Sequence, residues 1–169
     1  MAMRNAAYWI KTLHLAEHPE GGYFREIYRA KESIPPEALP PRYAGPRAFS
    51  TSIYFLLKSG QVSHFHRLRS DEVWHFYAGC PLRFHVFEGN GAYRRFYLGS
   101  KPERGEALQA ILPSGVLFAA EPARPGSFSL CGCTVAPGFD FADFEFGRRE
   151  ELLGRFPRHK ALILRMTVG

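Results

Sequence analysis

The hydrophobic pattern of this chain is dominated by short β-strands. From residue 48 onward, runs rich in Phe, Tyr, Val, Ile and Leu recur, and turns that contain Gly, Pro or Asn separate them. Strands at this spacing, with few helical periods between them, predict an all-β sandwich or barrel. The predicted strands span residues 49–57, 62–66, 72–78, 82–88, 93–98, 107–112, 116–120, 128–135 and 139–146.

The two ends of the chain show other patterns. Asn5 can cap a short helix that runs to residue 15, because apolar residues follow it at helical spacing. Residues 23–29 alternate as in a strand. Near the other end, a short helix is predicted around residues 150–155 and a last strand over residues 161–167.

Length and composition indicate one globular domain. The chain has 169 residues, of which 46% are hydrophobic and 15% aromatic, and this composition excludes disorder. We therefore expect a single domain over residues 1–169, with a core barrel at about residues 20–146. No apolar run approaches the ~20 residues of a membrane helix, and the start lacks the apolar segment of a secretory signal.

Charge and cysteine content restrict the partners and the compartment. Lys and Arg number 22 against 16 Asp and Glu, but the basic residues are scattered rather than clustered. We therefore expect no nucleic-acid partner and no membrane partner. The three cysteines are an odd number in a chain without a signal, which predicts a cytoplasmic protein with reduced thiols.

The residues most suited to chemistry are His64, His66 and Glu72. On a regular strand His64 and His66 point the same way, and a turn would return the chain so that Glu72 faces them. Two imidazoles and a carboxylate inside a barrel could hold a divalent cation. Without metal they could form an acid–base pair in which Glu72 orients an imidazole. In a third interpretation the histidines are ordinary core residues with satisfied hydrogen bonds.

Strand alternation assigns the neighbours of Glu72 to two faces. Trp74 and Phe76 share its parity and are expected to line the barrel with it. His75 has the opposite parity, so we expect it on the outer face, in solvent or at a dimer contact.

The spacing of these residues resembles the first motif of the cupin superfamily. That motif reads here as Gly60, His64, His66, Glu72 and Gly79. The second motif, Pro-x-Gly-x-x-His, is represented by the segment Pro113-Ser-Gly-Val-Leu-Phe118.

More closely, the chain resembles the cupin subfamily known as DUF985 or cupin 5. The strings that carry this resemblance include His18-Pro-Glu-Gly-Gly-Tyr-Phe-Arg-Glu26, Ser70-Asp-Glu-Val-Trp-His-Phe-Tyr-Ala-Gly79 and Gly132-Cys-Thr-Val-Ala-Pro-Gly-Phe-Asp-Phe141. The resemblance implies a double-stranded β-helix (jelly roll), here with a short N-terminal and a short C-terminal helix. It also implies a homodimer with one pocket inside each barrel.

The resemblance also bears on the site. Phe118 stands where the superfamily has its third histidine ligand, so the candidate metal ligands are His64, His66 and Glu72, together with any that strand alternation misses. Tyr23 could close the mouth of the pocket. The expected ligand-binding residues are Tyr23, His64, Trp74, Phe76 and Phe118.

Three functions remain open at this stage. The first is an isomerase or epimerase of a small polar metabolite, sugar-like or keto, with His66 as the base and Glu72 as its partner. The second is a binding or sensing cupin that does not transform its ligand. The third is an enzyme that uses a divalent metal with the reduced ligand set.

Overall fold

The structure, a computed structural model, describes residues 4–169. Most of these residues form strands, which are β1 (Ala16–Glu17), β2 (Tyr23–Arg29), β3 (Ser33–Ile34), β4 (Arg47–Ala48), β5 (Thr51–Lys58), β6 (Ser63–Arg67), β7 (Asp71–Gly79), β8 (Leu82–Phe87), β9 (Tyr93–Leu98), β10 (Glu106–Ala107), β11 (Gln109–Leu112), β12 (Leu117–Pro122), β13 (Phe128–Ala136) and β14 (Glu145–Phe146). The helices are α1 (Ala6–Thr12), α2 (Arg149–Arg155) and α3 (Lys160–Met166). Short 3₁₀ turns lie at Pro36–Ala38, Pro102–Arg104, Phe141–Asp143 and Pro157–His159.

Two six-stranded sheets form the body of the described structure. The first has the strand order β1-β2-β5-β13-β7-β11 and the second the order β10-β9-β8-β12-β6-β14. Neighbouring strands are antiparallel, except that β10 runs parallel to β9. This arrangement confirms the predicted all-β class and the double-stranded β-helix, with short helices at both ends.

Aromatic rings fill the space between the two sheets. Trp74 from the first sheet is fully buried, and its ring packs edge-on against Phe55 and Phe84 at centroid distances of 5.4 and 5.1 Å. Phe84 stacks on Phe96 at 4.9 Å. Edge-on and stacked rings add attraction beyond the area that they remove from water, so this cluster fixes the spacing of the sheets around the site.

The N-terminal helix begins where the sequence predicts. The Asn5 side chain accepts a hydrogen bond from the Tyr8 amide at 3.0 Å, which satisfies one of the free N–H groups of the first turn. The helix ends at Thr12, three residues earlier than predicted. Its apolar side packs on the outer face of the first sheet, beside Leu56 and Leu130.

The predicted last strand, 161–167, is wrong, because this segment is helix α3. Its buried residues, Ile163 and Met166, are three apart, which places them on one face of a helix. They pack with Phe65 and Leu152 against the outside of the second sheet. The run Ala161-Leu-Ile-Leu164 is apolar throughout, and such a short run fits either structure until its packing partner is known.

The predicted strand 139–146 is also wrong. The Asp140 carboxylate accepts a hydrogen bond from the Ala142 amide at 2.8 Å and begins the 3₁₀ turn Phe141–Asp143. Only Glu145 and Phe146 pair with β6. Local side chain-to-backbone bonds of this kind compete with strand pairing. Among residues 4–169, no helix has the length and apolar character that crossing a membrane requires.

Candidate functional site

A cavity of about 250 Å³ lies inside the barrel. Strands β2, β5, β7 and β13 of the first sheet and β6 of the second provide its walls, and residues 139–141 border it. The aromatic lining residues are Phe24, Phe55, Phe139 and Phe141. The titratable lining residues on the inner wall are His18, Glu20, His66 and Glu72.

Two of the predicted site residues meet in this cavity. His66 comes from β6 and Glu72 from β7, and their exposed fractions are 2% and 6%. The charge of Glu72 acts on His66, since it opposes the effect of burial on the pKa of that imidazole. The cavity therefore combines an imidazole and a carboxyl that have little contact with solvent.

His64 does not face the same way as His66, so that part of the prediction is wrong. Phe118 of β12 pairs with His66 and Ala120 pairs with Ser63, so three steps along β6 match two along β12. This β-bulge changes the alternation of side chains. His64 lines a separate surface groove and not the cavity.

His64 nevertheless holds two cavity residues in place. Its amide and its Nδ1 both lie within hydrogen-bond distance of the Glu20 carbonyl oxygen, at 3.0 and 2.8 Å. Because a carbonyl oxygen only accepts, Nδ1 carries the proton in this contact. The carbonyl oxygen of His64 in turn accepts a hydrogen bond from Nδ1 of His66 at 2.7 Å.

The orientation of His66 follows from that last contact, and not from Glu72 as predicted. With Nδ1 donating, the neutral ring has a lone pair on Nε2. Nε2 lies 3.3 Å from Oε2 of Glu20. Two atoms that would otherwise both be acceptors lie next to each other, so one proton is shared between His66 and Glu20.

Glu20 is a site residue that the sequence prediction missed. The residue is 6% exposed, and its Oε1 accepts a hydrogen bond from the Ser63 hydroxyl at 2.9 Å. Two glycines with positive φ follow it, Gly21 at 107° and Gly22 at 83°. A Cβ on Gly21 would lie 2.1 Å from the Val62 carbonyl oxygen, so the turn passes too close to β6 for any other residue.

His18, in the same turn, is the second missed residue. Its Nδ1 accepts a hydrogen bond from the Glu20 amide at 3.1 Å, so the proton of the neutral ring lies on Nε2. The ring packs edge-on against Phe24 at 4.5 Å. The string His18-Pro-Glu-Gly-Gly was part of the family resemblance, and its acid and histidine were the available signal.

Burial shifts the pKa of each of the four titratable groups of the inner wall in the direction that favours its neutral form. It raises the pKa of Glu72 to about 7, and the neighbouring charge of Glu20 acts in the same direction. Burial also raises the pKa of Glu20 and lowers the pKa of His18 and of His66. These shifts favour proton transfer between the four groups and a ligand near neutral pH.

Four other predicted residues lie outside the lining of the cavity. Trp74 and Phe118 belong to the buried core, each 1% exposed, and Phe76 packs partly buried against that core. Phe118 still contacts the site, since its ring centroid lies 4.3 Å from that of His66. Tyr23 points away from the cavity, where its hydroxyl accepts a hydrogen bond from Lys58 Nζ at 2.9 Å.

The strand alternation of β2 explains the position of Tyr23. The next residue, Phe24, lines the cavity, so Tyr23 faces the opposite side of the sheet. By the same rule Glu72 and Trp74 face inward, and His75 faces outward, where Nε2 lies 3.2 Å from the Thr134 hydroxyl. The parity prediction for β7 therefore agrees with the structure.

The expected metal ligands do not assemble. His64 lies outside the cavity that holds His66 and Glu72. Within the described part of the chain, no group of three or more His, Cys, Asp or Glu side chains has the geometry to hold a metal ion. Phe118 occupies the place of a further histidine. The donor set therefore does not fit a cupin metal centre.

The two cysteines of β13 face the core. Cys131 and Cys133 are 1% and 2% exposed, and Cys133 also borders the cavity. Burial raises the pKa of both thiols above the usual range, so both are protonated at neutral pH. A protonated thiol is a weak nucleophile, which leaves the histidines and carboxyl groups as the reactive groups of the cavity.

A buried ion pair holds the segment that borders the cavity. Arg47 donates to both carboxylate oxygens of Asp143, with Nε–Oδ2 and Nη2–Oδ1 distances of 2.6 Å. Asp143 ends the 3₁₀ turn that carries Phe141. Phe139, just before this turn, accepts a hydrogen bond on its carbonyl oxygen from Arg29 Nη1 at 3.1 Å. These contacts keep aromatic rings at the edge of the cavity.

Fold and cavity together define a cupin, a double-stranded β-helix with a polar site inside the barrel. Residues 7–147 match the family described as Cupin superfamily (DUF985), which covers most of the chain. The chain therefore belongs to this family.

Several proteins with similar sequences and structures are known. A crystal structure of a protein from Shewanella oneidensis is 40% identical, with a TM-score of 0.87 over 98% of this chain and 99% of that one. A hypothetical protein from Leishmania major is 37% identical, with a TM-score of 0.85 over 98% and 99% of the two chains. An uncharacterized protein of Saccharomyces cerevisiae is 29% identical over 85% of this chain and 76% of its own length.

A more distant likeness concerns the fold alone. Oxalate decarboxylase from Bacillus subtilis is 18% identical, with a TM-score of 0.53 over 89% of this chain and 36% of that one.

Proposed function

We propose that this cupin is an isomerase or epimerase that moves a proton on a carbon next to a carbonyl group in a small polar metabolite. The observation that carries the proposal is the joint burial of His66, Glu72, Glu20 and His18 around one cavity. Several buried titratable groups with shifted pKa values in a cleft are typical of acid–base sites.

Glu72 is the group best matched to taking a proton from carbon. A pKa of about 7 means that a large fraction of this carboxyl is ionised at neutral pH and that it is still a strong enough base. Its carboxyl borders the cavity, where a ligand can contact it.

His18 and the His66–Glu20 pair supply the other roles. The Nε2–H of His18 is a neutral donor that can bind the carbonyl oxygen and stabilise its developing negative charge. When the C–H bond breaks, its proton goes to Glu72 and its electron pair forms the enolate. The shared proton of His66 and Glu20 then returns to carbon. Delivery of this proton to the opposite face of the same carbon is epimerisation. Isomerisation requires a hydroxyl group on that carbon: the hydroxyl proton moves to the enolate oxygen, and the delivered proton binds the former carbonyl carbon.

The size and walls of the cavity suit such a substrate. Its volume of about 250 Å³ lies just below the usual range of small-molecule sites, which begins at roughly 300 Å³, so it suits a small ligand. Phe24 and Phe55 give it apolar walls, which exclude water from the enolate and so lengthen its lifetime.

The test is solvent isotope exchange. The protein is incubated in deuterated water with a panel of sugar-like and keto compounds, and deuterium uptake on carbon is followed by NMR. We expect uptake in at least one compound, lowered at least about a hundredfold in Glu72→Gln and in His66→Gln, as is usual for a lost general acid or base.

Two matched substitutions control for charge and for histidine loss. Glu103→Gln changes an exposed acid in the 3₁₀ turn Pro102–Arg104, and His75→Gln changes a histidine on the outer face of β7. Both should leave the exchange rate unchanged. A compound that binds without exchange in the wild-type protein would contradict the proposal and would favour a binding or sensing cupin.

A further inference from the structure

The lining of the cavity holds more carboxyl groups than permanently charged cations. Four carboxyl groups line it, from Glu20, Glu26, Glu72 and Asp140, against one guanidinium, that of Arg29. The whole chain has the opposite balance, with a formal charge of +6. The acidic lining is thus a local property of this site.

The single arginine of the lining already has hydrogen-bond partners within the protein. Its Nε and Nη2 donate to the two carboxylate oxygens of Glu26 at 3.0 and 2.7 Å, and its Nη1 donates to the Phe139 carbonyl oxygen. An anionic ligand would therefore meet carboxyl groups and no free cation in the lining. Burying a charge without a partner is strongly unfavourable.

The aromatic walls of the cavity favour a positively charged ligand. Phe24, Phe55, Phe139 and Phe141 surround the same space as the carboxyl groups. The face of an aromatic ring carries partial negative charge and attracts a cation within about 6 Å of its centre. Aromatic rings with carboxylates between them are a combination that binds organic ammonium groups.

We propose that the ligand of this cavity is a small organic cation, an amine whose ammonium group binds at Glu72, and that the cavity discriminates against carboxylates and phosphates. Glu72 borders the cavity and is 6% exposed, so its carboxylate can accept a hydrogen bond from a ligand there. An ammonium group has three donors and can supply that hydrogen bond. The inference rests on the proposed function for its site and narrows the substrate to an amino-substituted carbonyl compound.

Proton release should accompany the binding. Burial keeps part of the Glu72 carboxyl protonated near neutral pH, since its pKa is about 7. A neighbouring ammonium favours the ionised form, so the proton leaves when the amine binds. Amine affinity should then rise with pH between 6 and 8.

The experiment compares three probes of equal length that differ in charge, namely butylammonium, 1-butanol and butyrate. Binding is measured by calorimetry and by ligand-observed NMR. We expect butylammonium to bind at least about tenfold more tightly than butanol, which is about 1.4 kcal/mol, and butyrate to bind more weakly than butanol. Calorimetry in two buffers of different ionisation enthalpy should detect the released proton.

Variants test whether Glu72 is the residue that binds the ammonium group. Glu72→Gln should reduce the affinity for butylammonium to that for butanol, and Glu103→Gln should not change it. Should the Gln variant fail to fold, the buffer comparison on the wild-type protein still tests the proposal. Butyrate binding as tight as butylammonium, or no butylammonium binding at tens of millimolar, would overturn it.

These outcomes separate the inference from the proposed function. Binding is measured without turnover, so an amine preference can fail while isotope exchange on a neutral keto compound succeeds. Conversely, tight amine binding without exchange would leave the charge preference intact and contradict the reaction.

Discussion

Nε2 of His66 and Oε2 of Glu20 lie 3.3 Å apart inside the barrel. Nδ1 of the same ring donates to the His64 carbonyl oxygen, so Nε2 is the only nitrogen available to Glu20. Burial raises the pKa of Glu20 and lowers the pKa of His66, which favours a neutral carboxylic acid beside a neutral imidazole. The pair thus holds one proton at the wall of the cavity.

The first prediction concerns the tautomers of the two cavity histidines. His66 should have its proton on Nδ1 and His18 should have it on Nε2, because their Nδ1 atoms contact a carbonyl oxygen and an amide, respectively. Long-range ¹H–¹⁵N correlation spectra at pH 7 distinguish the two forms. A spectrum in which His66 is protonated on Nε2, or is doubly protonated, would contradict this geometry.

The second prediction concerns Glu72 and stability. A carboxyl whose pKa rises from 4.5 in the unfolded chain to about 7 in the folded one binds more protons when folded. The free energy of unfolding therefore falls as the pH rises from about 4.5 to 7, and the penalty persists above that range. At the usual 1.36 kcal/mol per pKa unit, the loss is at most about 3 kcal/mol.

Glu72→Gln removes this titration and keeps the side-chain shape. Relative to the wild type, the variant should gain stability between pH 5 and pH 8 in urea unfolding experiments. Glu103→Gln, which changes an exposed acid, should show the same dependence of unfolding free energy on pH as the wild type. Parallel pH profiles of wild type and Glu72→Gln would show that this carboxyl keeps an ordinary pKa.

Local sequence predicted the sheets better than it predicted the site. The alternation around Trp74 fixed the faces of β7, since one side of that strand is buried and the other is not. The bulge that turns His64 away depends on how β6 pairs with β12, and no local pattern encodes that pairing. Glu20 was missed because an acid in a Gly-rich turn is usually exposed, and only the packing of this turn on Ser63 buries it.

The third prediction concerns the glycine turn that places Glu20. Gly21 and Gly60 both have positive φ, at 107° and 83°, but a Cβ on Gly21 would lie 2.1 Å from the Val62 carbonyl oxygen, whereas one on Gly60 would meet nothing within 4 Å. Gly60→Ala should cost roughly 1 kcal/mol, the strain of the backbone conformation alone. Gly21→Ala should cost at least about 2 kcal/mol more and should reduce ligand binding.

Urea unfolding of the two alanine variants gives both free energies under the same conditions. Equal losses would mean that backbone conformation alone sets the cost at Gly21, and that the turn can move away from β6 without penalty.

The fourth prediction compares two ion pairs of different burial. Arg47 and Asp143 are 5% and 4% exposed, and removing one partner leaves a buried charge. Asp143→Asn should therefore cost about 3–5 kcal/mol. Glu145→Gln breaks the exposed pair with Arg67 and should cost less than about 1 kcal/mol. Similar losses in the two variants would show that water reaches the Arg47–Asp143 pair.

The last prediction is the homodimer that the family resemblance implies. Tyr77 and Ile111 are 49% and 61% exposed, and they lie on the neighbouring strands β7 and β11. Ile111 lies between the inward-facing Ala110 and Leu112, and Tyr77 packs over Gly132, so both belong to the outer face of the first sheet. Exposed apolar side chains on one face of a sheet are candidates for a protein interface. The double variant Tyr77→Ser, Ile111→Asp should be a monomer in sedimentation equilibrium. The control is Leu164→Ser, which changes an exposed apolar residue on helix α3, on the side of the second sheet, and this variant should remain dimeric. A monomeric wild-type protein, or a double variant that is still dimeric, would show that this face does not form the interface.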